Sequence, residues 1–343
     1  MRYRFLQVLF GCVLVAIAAC TPTSTPATSG TPAPSAPPVV PPRLSTPVPS
    51  PSPMVEPERL FQHIQALNFE RYQSRDRTRA RDYLTQILKA YGWQPQSQSF
   101  AGGVNLVANR PGTDAKAGTL LVTAHYDTVR DSPGADDNAS AIATALEIAR
   151  LLGPQKTVRS LQIAFFDQEE QGLLGSFAFT SESANLVNLS GVINLEMLGY
   201  ACHAEGCQSY PEGLPEKPST NRGDFLAIIG DQEHLPLLNA FQIDSFPTNN
   251  PSSLPPVLTL PVPLKGLLTP DLLRSDHAPF WYANIGAVMV TDTANFRNPH
   301  YHQPSDTPDT LDRPFLTGSA QRVVNTINHL LNSQESLATP IAP

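Results

Sequence analysis

The stretch Phe165-Phe166-Asp167-Gln168-Glu169-Glu170-Gln171-Gly172 places two adjacent carboxylates just beyond the apolar run Leu161-Gln162-Ile163-Ala164. That run reads as a buried strand, so the glutamates fall where a strand opens into a loop. Side chains of neighbouring extended residues diverge, which lets one carboxylate bind a cation while the other faces a reactant. A lone Glu-Glu pair is more often a solvated acidic turn, so the chemistry has to be supported from elsewhere in the chain.

Four other places carry matching residue types. His125-Tyr126-Asp127 closes one strand, Gly134-Ala135-Asp136-Asp137-Asn138 opens a helix, Glu196 ends a further strand, and Tyr301-His302 precedes the last helix. In an open α/β sheet, strand ends and helix starts converge on one crevice. Two imidazoles with several carboxylates and no thiolate are the donors a pair of zinc ions requires, with positions left open for water. Asp137, read as a helix N-terminal residue, would be kept ionised by the helix dipole, as suits a carboxylate shared by two cations. Asp127 lies two residues from His125, hence on the same strand face, where it can hold the imidazole's other nitrogen.

Elements must position these groups. Leu60, Ile64 and Leu67, then Tyr83, Leu84, Ile87, Leu88 and Tyr91, recur at helical spacing. The intervening Arg75, Arg77, Arg79 and Arg81 read as the solvated face of the second helix. Strands are expected at 94–100, 104–109, 119–123, 191–195, 225–229 and 287–290, and helices at 138–152, 173–180, 235–241 and 310–331. Strands alternating with helices imply one α/β domain, with a mixed, mostly parallel sheet and helices on both faces. The interval 210–274, including the proline-rich 246–263, is expected to form loops around the cleft.

The chain has 343 residues and a net charge of -7, with no basic cluster, which argues against nucleic acid as a partner. Thirteen of its 35 prolines lie between Thr21 and Pro57. That composition cannot bury a core and reads as a tether over 20–56. Before it, Arg2 and Arg4, an apolar run from Phe5 to Ala19 and small residues make a tripartite export signal over 1–19. Ile17-Ala18-Ala19-Cys20 resembles the lipobox of bacterial lipoproteins, implying a membrane anchor at Cys20; a plain secretory signal cut after Ala19 is the alternative. Both place the folded part, 57–336 with a tail of 337–343, outside the cytoplasm. Cys202 and Cys207 then read as a disulfide closing a short loop rather than as half of a metal site with His203.

Jointly, His125-x-Asp127, Gly134-Ala135-Asp136-Asp137-Asn138-Ala139-Ser140, Glu169 to Ser176, Asn194-Leu195-Glu196-Met197, Ser275-Asp276-His277 and Tyr301 to Leu311 resemble the M28 zinc peptidases, which include bacterial aminopeptidases. The resemblance runs from about Asn105 to Leu331. It implies that His125, Asp137 and Glu196 hold one zinc, that Asp137, Glu170 and His302 hold the other, and that Glu169 is the general base. It also makes Tyr301 an oxyanion donor. Many members carry Asp where this chain has Glu196. His203, His277 and His300 are spare imidazoles, with His300 the one placed to compete with His302. The implied activity is removal of N-terminal residues from peptides. A glutaminyl cyclase with one zinc, or a binding module that has lost catalysis, are the alternatives on the same scaffold.

Overall fold

The computed structural model describes residues 53–214, 218–243 and 254–339. The expected export signal, the Cys20 anchor and nearly all of the tether lie outside the described residues.

Among the described residues, eight strands form one sheet: β1 (Gln96–Phe100), β2 (Gly103–Arg110), β3 (Thr119–His125), β4 (Ser160–Phe166), β5 (Leu189–Glu196), β6 (Leu226–Asp231), β7 (Val257–Val262) and β8 (Ala287–Thr291), in the order β1-β2-β4-β3-β5-β8-β6-β7. The central strands β4, β3, β5 and β8 are mutually parallel, so their carboxyl ends share one rim. The β1–β2 hairpin is antiparallel to β4 on one side, and β6 is antiparallel to β8 on the other. Among the described residues, eight α-helices accompany the sheet: α1 (Pro57–Ala66), α2 (Ser74–Ala90), α3 (Ala141–Leu152), α4 (Leu174–Ser181), α5 (Ser183–Leu186), α6 (Leu235–Asn239), α7 (His277–Tyr282) and α8 (Arg313–Asn332).

Strand alternation divides the core into two layers. Leu120 and Val122 of β3, Ile193 of β5 and Val290 of β8 pack with Ile64, Ile142 and Val323 from α1, α3 and α8. Leu121, Val192 and Met289, one residue along, face the opposite way and pack with Phe179 and Trp281 from α4 and α7. Burial of each such aliphatic side chain stabilises by roughly 1.5–3 kcal/mol relative to exposure. Because β3 and β5 are buried on both faces, a one-residue slip would exchange the two layers, so the register that brings His125 and Glu196 to the rim is tightly fixed.

Three expectations about the elements need correction. Arg77, read with its neighbours as the solvated face of the second helix, is buried and pairs with Asp167 at 2.7 Å. The proline-rich segment read as loop contains β7, an edge strand beside β6 that accommodates Pro261 because an edge leaves one side of the ladder free. The helix expected from Asn138 begins at Ala141. Residues Ala135–Ser140 form a widened turn in which Asp137 (φ -101°, ψ 88°) and Asn138 (φ -131°, ψ 35°) leave helical geometry. Gly134 starts that turn at φ +63°, where a Cβ would lie 2.2 Å from the Asp137 carbonyl oxygen, so glycine is required by both conformation and space.

Candidate metal centre

The rim gathers the residues singled out in the sequence. His125 is the last residue of β3 and Glu196 the last of β5; Glu169 and Glu170 follow β4. Asp137 comes from the widened turn, and His302, at φ +59°, from the loop between β8 and α8. Asp137 turns Oδ1 to His125 Nε2 and Oδ2 to His302 Nε2, each at 3.2 Å. Glu170 Oε2 lies 3.0 Å from the same His302 nitrogen, and Glu196 Oε1 lies 3.4 Å from His125 Nε2. Donor atoms of Asp137, Glu170 and His302 fall within 4.8 Å of one another, and so do those of His125, Glu169 and Glu196.

These side chains fit a cation in their midst. Asp137 Oδ1, Glu170 Oε1 and His302 Nε2 are buried without a hydrogen-bond partner, a state costing about 1–3 kcal/mol per group unless something else satisfies it. Burial pushes the Glu170 carboxyl up to about 7, with the Asp137 charge adding to it. Burial likewise raises Glu169 well above the carboxylate range, Glu196 and Glu170 contributing against the pull of His125. Oxygen and imidazole donors without thiolate suit zinc. Such a crowd of acids at low dielectric calls for positive charge beyond what two imidazoles supply.

The helix dipole is not what ionises Asp137, because α3 begins four residues later. Burial opposes its charge, but the attraction of the His125 and His302 imidazoles, whose Nε2 atoms lie 3.2 Å from its two oxygens, wins and holds the carboxyl below its ordinary value. Both imidazoles are correspondingly raised against the effect of burial, His302 to about 10 through Asp137 and Glu170.

Asp127 reaches further than expected. Its Oδ1 is 3.4 Å from His125 Nδ1, a long contact. Its shorter bonds are accepted from the backbone amides of Glu169 (3.0 Å) and Glu170 (3.2 Å), so one carboxylate aligns three rim residues. Asp306 does the same for the widened turn, accepting from the amides of Asp136 (2.9 Å) and Asp137 (3.1 Å). Asn138 ties that turn to the end of β5 through Leu195 O and Met197 N.

Arg71, which nothing in the sequence marked, lies fully buried beneath these loops. Its guanidinium donates to the carbonyls of Tyr126 (2.8 Å), Pro133 (2.7 Å), Gly134 (3.0 Å), Phe69 (3.1 Å) and Leu67. A single arginine outside any motif gives no periodic or spacing signal. Its five-donor fork is legible only once the carbonyls are gathered.

The spare imidazoles are engaged elsewhere. His277 donates its Nε2–H to the Leu272 carbonyl at 2.8 Å and packs edge-on against Trp281. His203 pairs with Asp312, and His300 with Ser305. Asp276 accepts a 2.5 Å bond from Ser176.

Tyr301 stacks on His302 at 3.7 Å between ring centroids and lines a cleft shared with Asp137, Glu169, Glu170 and Glu196. Away from the acids the cleft wall turns apolar, with Ile229, Leu260, Leu272 and Met289. The loop after the Cys202–Cys207 disulfide closes one side with Gln208, Ser209 and Tyr210.

Comparison with known proteins gives a consistent picture. Residues 105–228 match the model of Peptidase family M28. The uncharacterized protein YfbL of Escherichia coli is 32% identical over 281 residues, covering 75% of this chain and 80% of that one. The probable lipoprotein aminopeptidase LpqL of Mycobacterium tuberculosis and a probable zinc metalloprotease of Pyricularia oryzae are each 28% identical, over 67% and 64% of this chain. The chain spans 48% and 45% of their lengths, about half. Among solved structures, an aminopeptidase from Aneurinibacillus sp. strain AM-1 superposes with a TM-score of 0.62 at 17% identity, covering 84% of this chain and 97% of that one. The glutaminyl cyclase of Porphyromonas gingivalis gives 0.58 at 21% identity, covering 81% and 99%. At these identities the structural likeness speaks for the shared fold.

Proposed function

The chain belongs to peptidase family M28, and we propose that it is a zinc-dependent aminopeptidase with two metal ions that share Asp137. The observation that carries the two-ion reading is the division of the Asp137 carboxylate, one oxygen to each of two imidazoles at equal distance. His125, Asp137 and Glu196 would hold one zinc, and Asp137, Glu170 and His302 the other. Bound there, zinc supplies Lewis acidity, lowering the pKa of a water and polarising the scissile carbonyl.

The chain's own residues do the rest. Glu169, held by Asp127 through its amide, receives the proton of the attacking water on its carboxylate and passes it to the leaving amine nitrogen. Tyr301 donates its hydroxyl proton to the carbonyl oxygen as that oxygen becomes negative. The carboxylates of Glu169 and Glu196, which line the cleft, attract the cationic α-amine of a peptide, favouring N-terminal residues. Residues 57–336 form the catalytic domain. The segments before it would serve as export signal (1–19), lipid anchor at Cys20 and tether (20–56), holding the enzyme at the outer side of a bacterial membrane; the expected tail from 337 starts within the core, where Leu337 is buried and Thr339 bonds to Glu233 and Leu235.

Zinc content per chain, measured together with hydrolysis of free and N-blocked aminoacyl substrates, tests the reading. Two zincs and cleavage of free aminoacyl substrates alone are expected. Preference for blocked peptides would sink the aminopeptidase assignment. One zinc with pyroglutamate formation and no hydrolysis would point instead to the glutaminyl cyclase chemistry found on the same fold.

A further inference from the structure

We propose that Arg274 is a positioning residue for this reaction, its guanidinium fixing the Tyr301 hydroxyl so that the phenolic proton points at the oxygen that becomes negative during hydrolysis. The proposal rests on the zinc-aminopeptidase reading above.

Arg274 Nη2 donates to the Tyr301 hydroxyl at 3.1 Å. A phenol has one proton and can accept through its oxygen lone pairs. Accepting from a cation therefore leaves the O–H free to donate elsewhere and polarises it as a donor. The ring is already restrained by stacking on His302 at 3.7 Å with planes 21° apart. The main freedom left to the side chain is the direction of its hydroxyl proton, which Arg274 addresses. The arginine is itself held in place: Nη1 donates to Asn295 Oδ1 at 3.0 Å, and Asp271 lies 3.7 Å from the same nitrogen.

Placement supports a role in the reaction over one in folding. Arg274 and Tyr301 line the cleft that contains Asp137, Glu169, Glu170 and Glu196. The next residue, Ser275, donates to Glu196, so one turn touches both a ligand carboxylate and the oxyanion donor. The Arg274 side chain is 42% exposed, and its pairing with Asp271, itself 45% exposed, contributes little to stability at such exposure. Stability alone gives no reason for a half-exposed cation to be braced from two sides against a phenol.

Kinetics of the zinc-loaded full chain on leucyl-4-nitroanilide, a substrate without a carboxylate, test this with Arg274→Ala, Arg274→Lys, Tyr301→Phe and the Arg274→Ala/Tyr301→Phe double variant. Arg274→Ala is expected to lower kcat by about 10- to 100-fold, with KM changed by less than about threefold. Arg274→Lys should keep more of the kcat than Arg274→Ala. The double variant should be no slower than Tyr301→Phe. Added guanidinium should restore part of the kcat of Arg274→Ala and none in the double variant. In calorimetry, Arg274→Ala should weaken the aminoalkylphosphonate analogue of leucine by the same factor while leaving leucine binding unchanged. Multiplicative losses in the double variant, rescue that survives Tyr301→Phe, a change confined to KM, or no change would each overturn the proposal. If the wild-type protein cleaves no aminoacyl substrate, the underlying reading fails; an active wild type with an indifferent Arg274→Ala sinks only the role of Arg274.

Discussion

Ser275 donates a 2.5 Å hydrogen bond to Oε2 of Glu196, the carboxylate whose other oxygen faces His125. In the proposed metal site the serine would fix which oxygen of Glu196 is free to meet a cation. Ser275→Ala should lower the affinity for one of the two ions by about 10- to 100-fold and leave the other bound. Zinc content after dialysis against graded chelator checks this: a single-step loss of both ions, or no change, would contradict it.

Glu169 and Glu170 are neighbours in sequence with separate tasks in the proposed reaction. Glu169→Gln is expected to lower kcat by about 10²- to 10⁴-fold with two zincs retained. Glu170→Gln should reduce zinc content itself, since Glu170 Oε2 lies 3.0 Å from His302 in the cluster with Asp137. Measuring metal and turnover on the same preparations separates the two, and loss of zinc in Glu169→Gln would make that residue a ligand instead.

Much of this candidate site is readable in the sequence because polar residues gathered at strand ends leave a double signature, a β-rich apolar run followed by an unexpected acid or imidazole. His125, Glu169, Glu170 and Glu196 all have it. Asp137 was legible in type but not in local geometry: small residues and a glycine before an apolar helix look like an ordinary helix start, whereas the turn is widened and α3 begins at Ala141. Strand β7 was hidden by Pro261, since a proline inside a short apolar run argues for loop unless the strand is known to lie at an edge. The roles of Asp306 and Arg71 depend on backbone atoms brought together across long separations, which no local pattern encodes.

Arg71 gives a stability prediction of its own. Its buried guanidinium satisfies carbonyls of residues 126, 133 and 134, the segment leading into the Asp137 turn. Lysine has three donors and no planar fork, so Arg71→Lys leaves at least one of these carbonyls unpaired in a dry site. A loss of about 1–3 kcal/mol is expected. Thermal or denaturant unfolding of zinc-loaded protein reads it, and an unchanged midpoint would show that Arg71 is dispensable for the fold.

His63, on the inner side of α1, is buried against Tyr83, whose hydroxyl lies 2.7 Å from Nδ1. Burial lowers its pKa from 6.5 to about 4, with Arg59 and Arg150 adding to the effect and Glu147 opposing it. A folded-state value below the unfolded one means the neutral imidazole is preferred in the native protein. Its contribution is therefore complete above about pH 6.5 and is lost as pH falls towards about 4. The stability difference between wild type and His63→Gln should be flat above that window and shift in favour of His63→Gln within it. Urea unfolding of both proteins across this range decides the matter, and parallel curves would reject it.

The Cys202–Cys207 disulfide precedes the loop that carries Gln208, Ser209 and Tyr210 to the cleft. Backbone bonds already tie this segment down: Cys202 and Gly223 exchange two hydrogen bonds of 2.9 Å, and the Gln208 amide donates to Asn221 O at 3.1 Å. Gln208 also accepts from Arg297 at 2.8 Å. A cross-link over so short a loop constrains the unfolded chain by about 2 kcal/mol. Because the surrounding bonds survive without it, the Cys202→Ser/Cys207→Ser variant should fold with a lowered Tm and bind the same zinc. Its loop should fluctuate more, raising KM for aminoacyl substrates several-fold, by about 1 kcal/mol or less, while kcat holds. A fall in kcat with KM unchanged would mean that the disulfide shapes the reacting groups rather than the wall that receives the substrate.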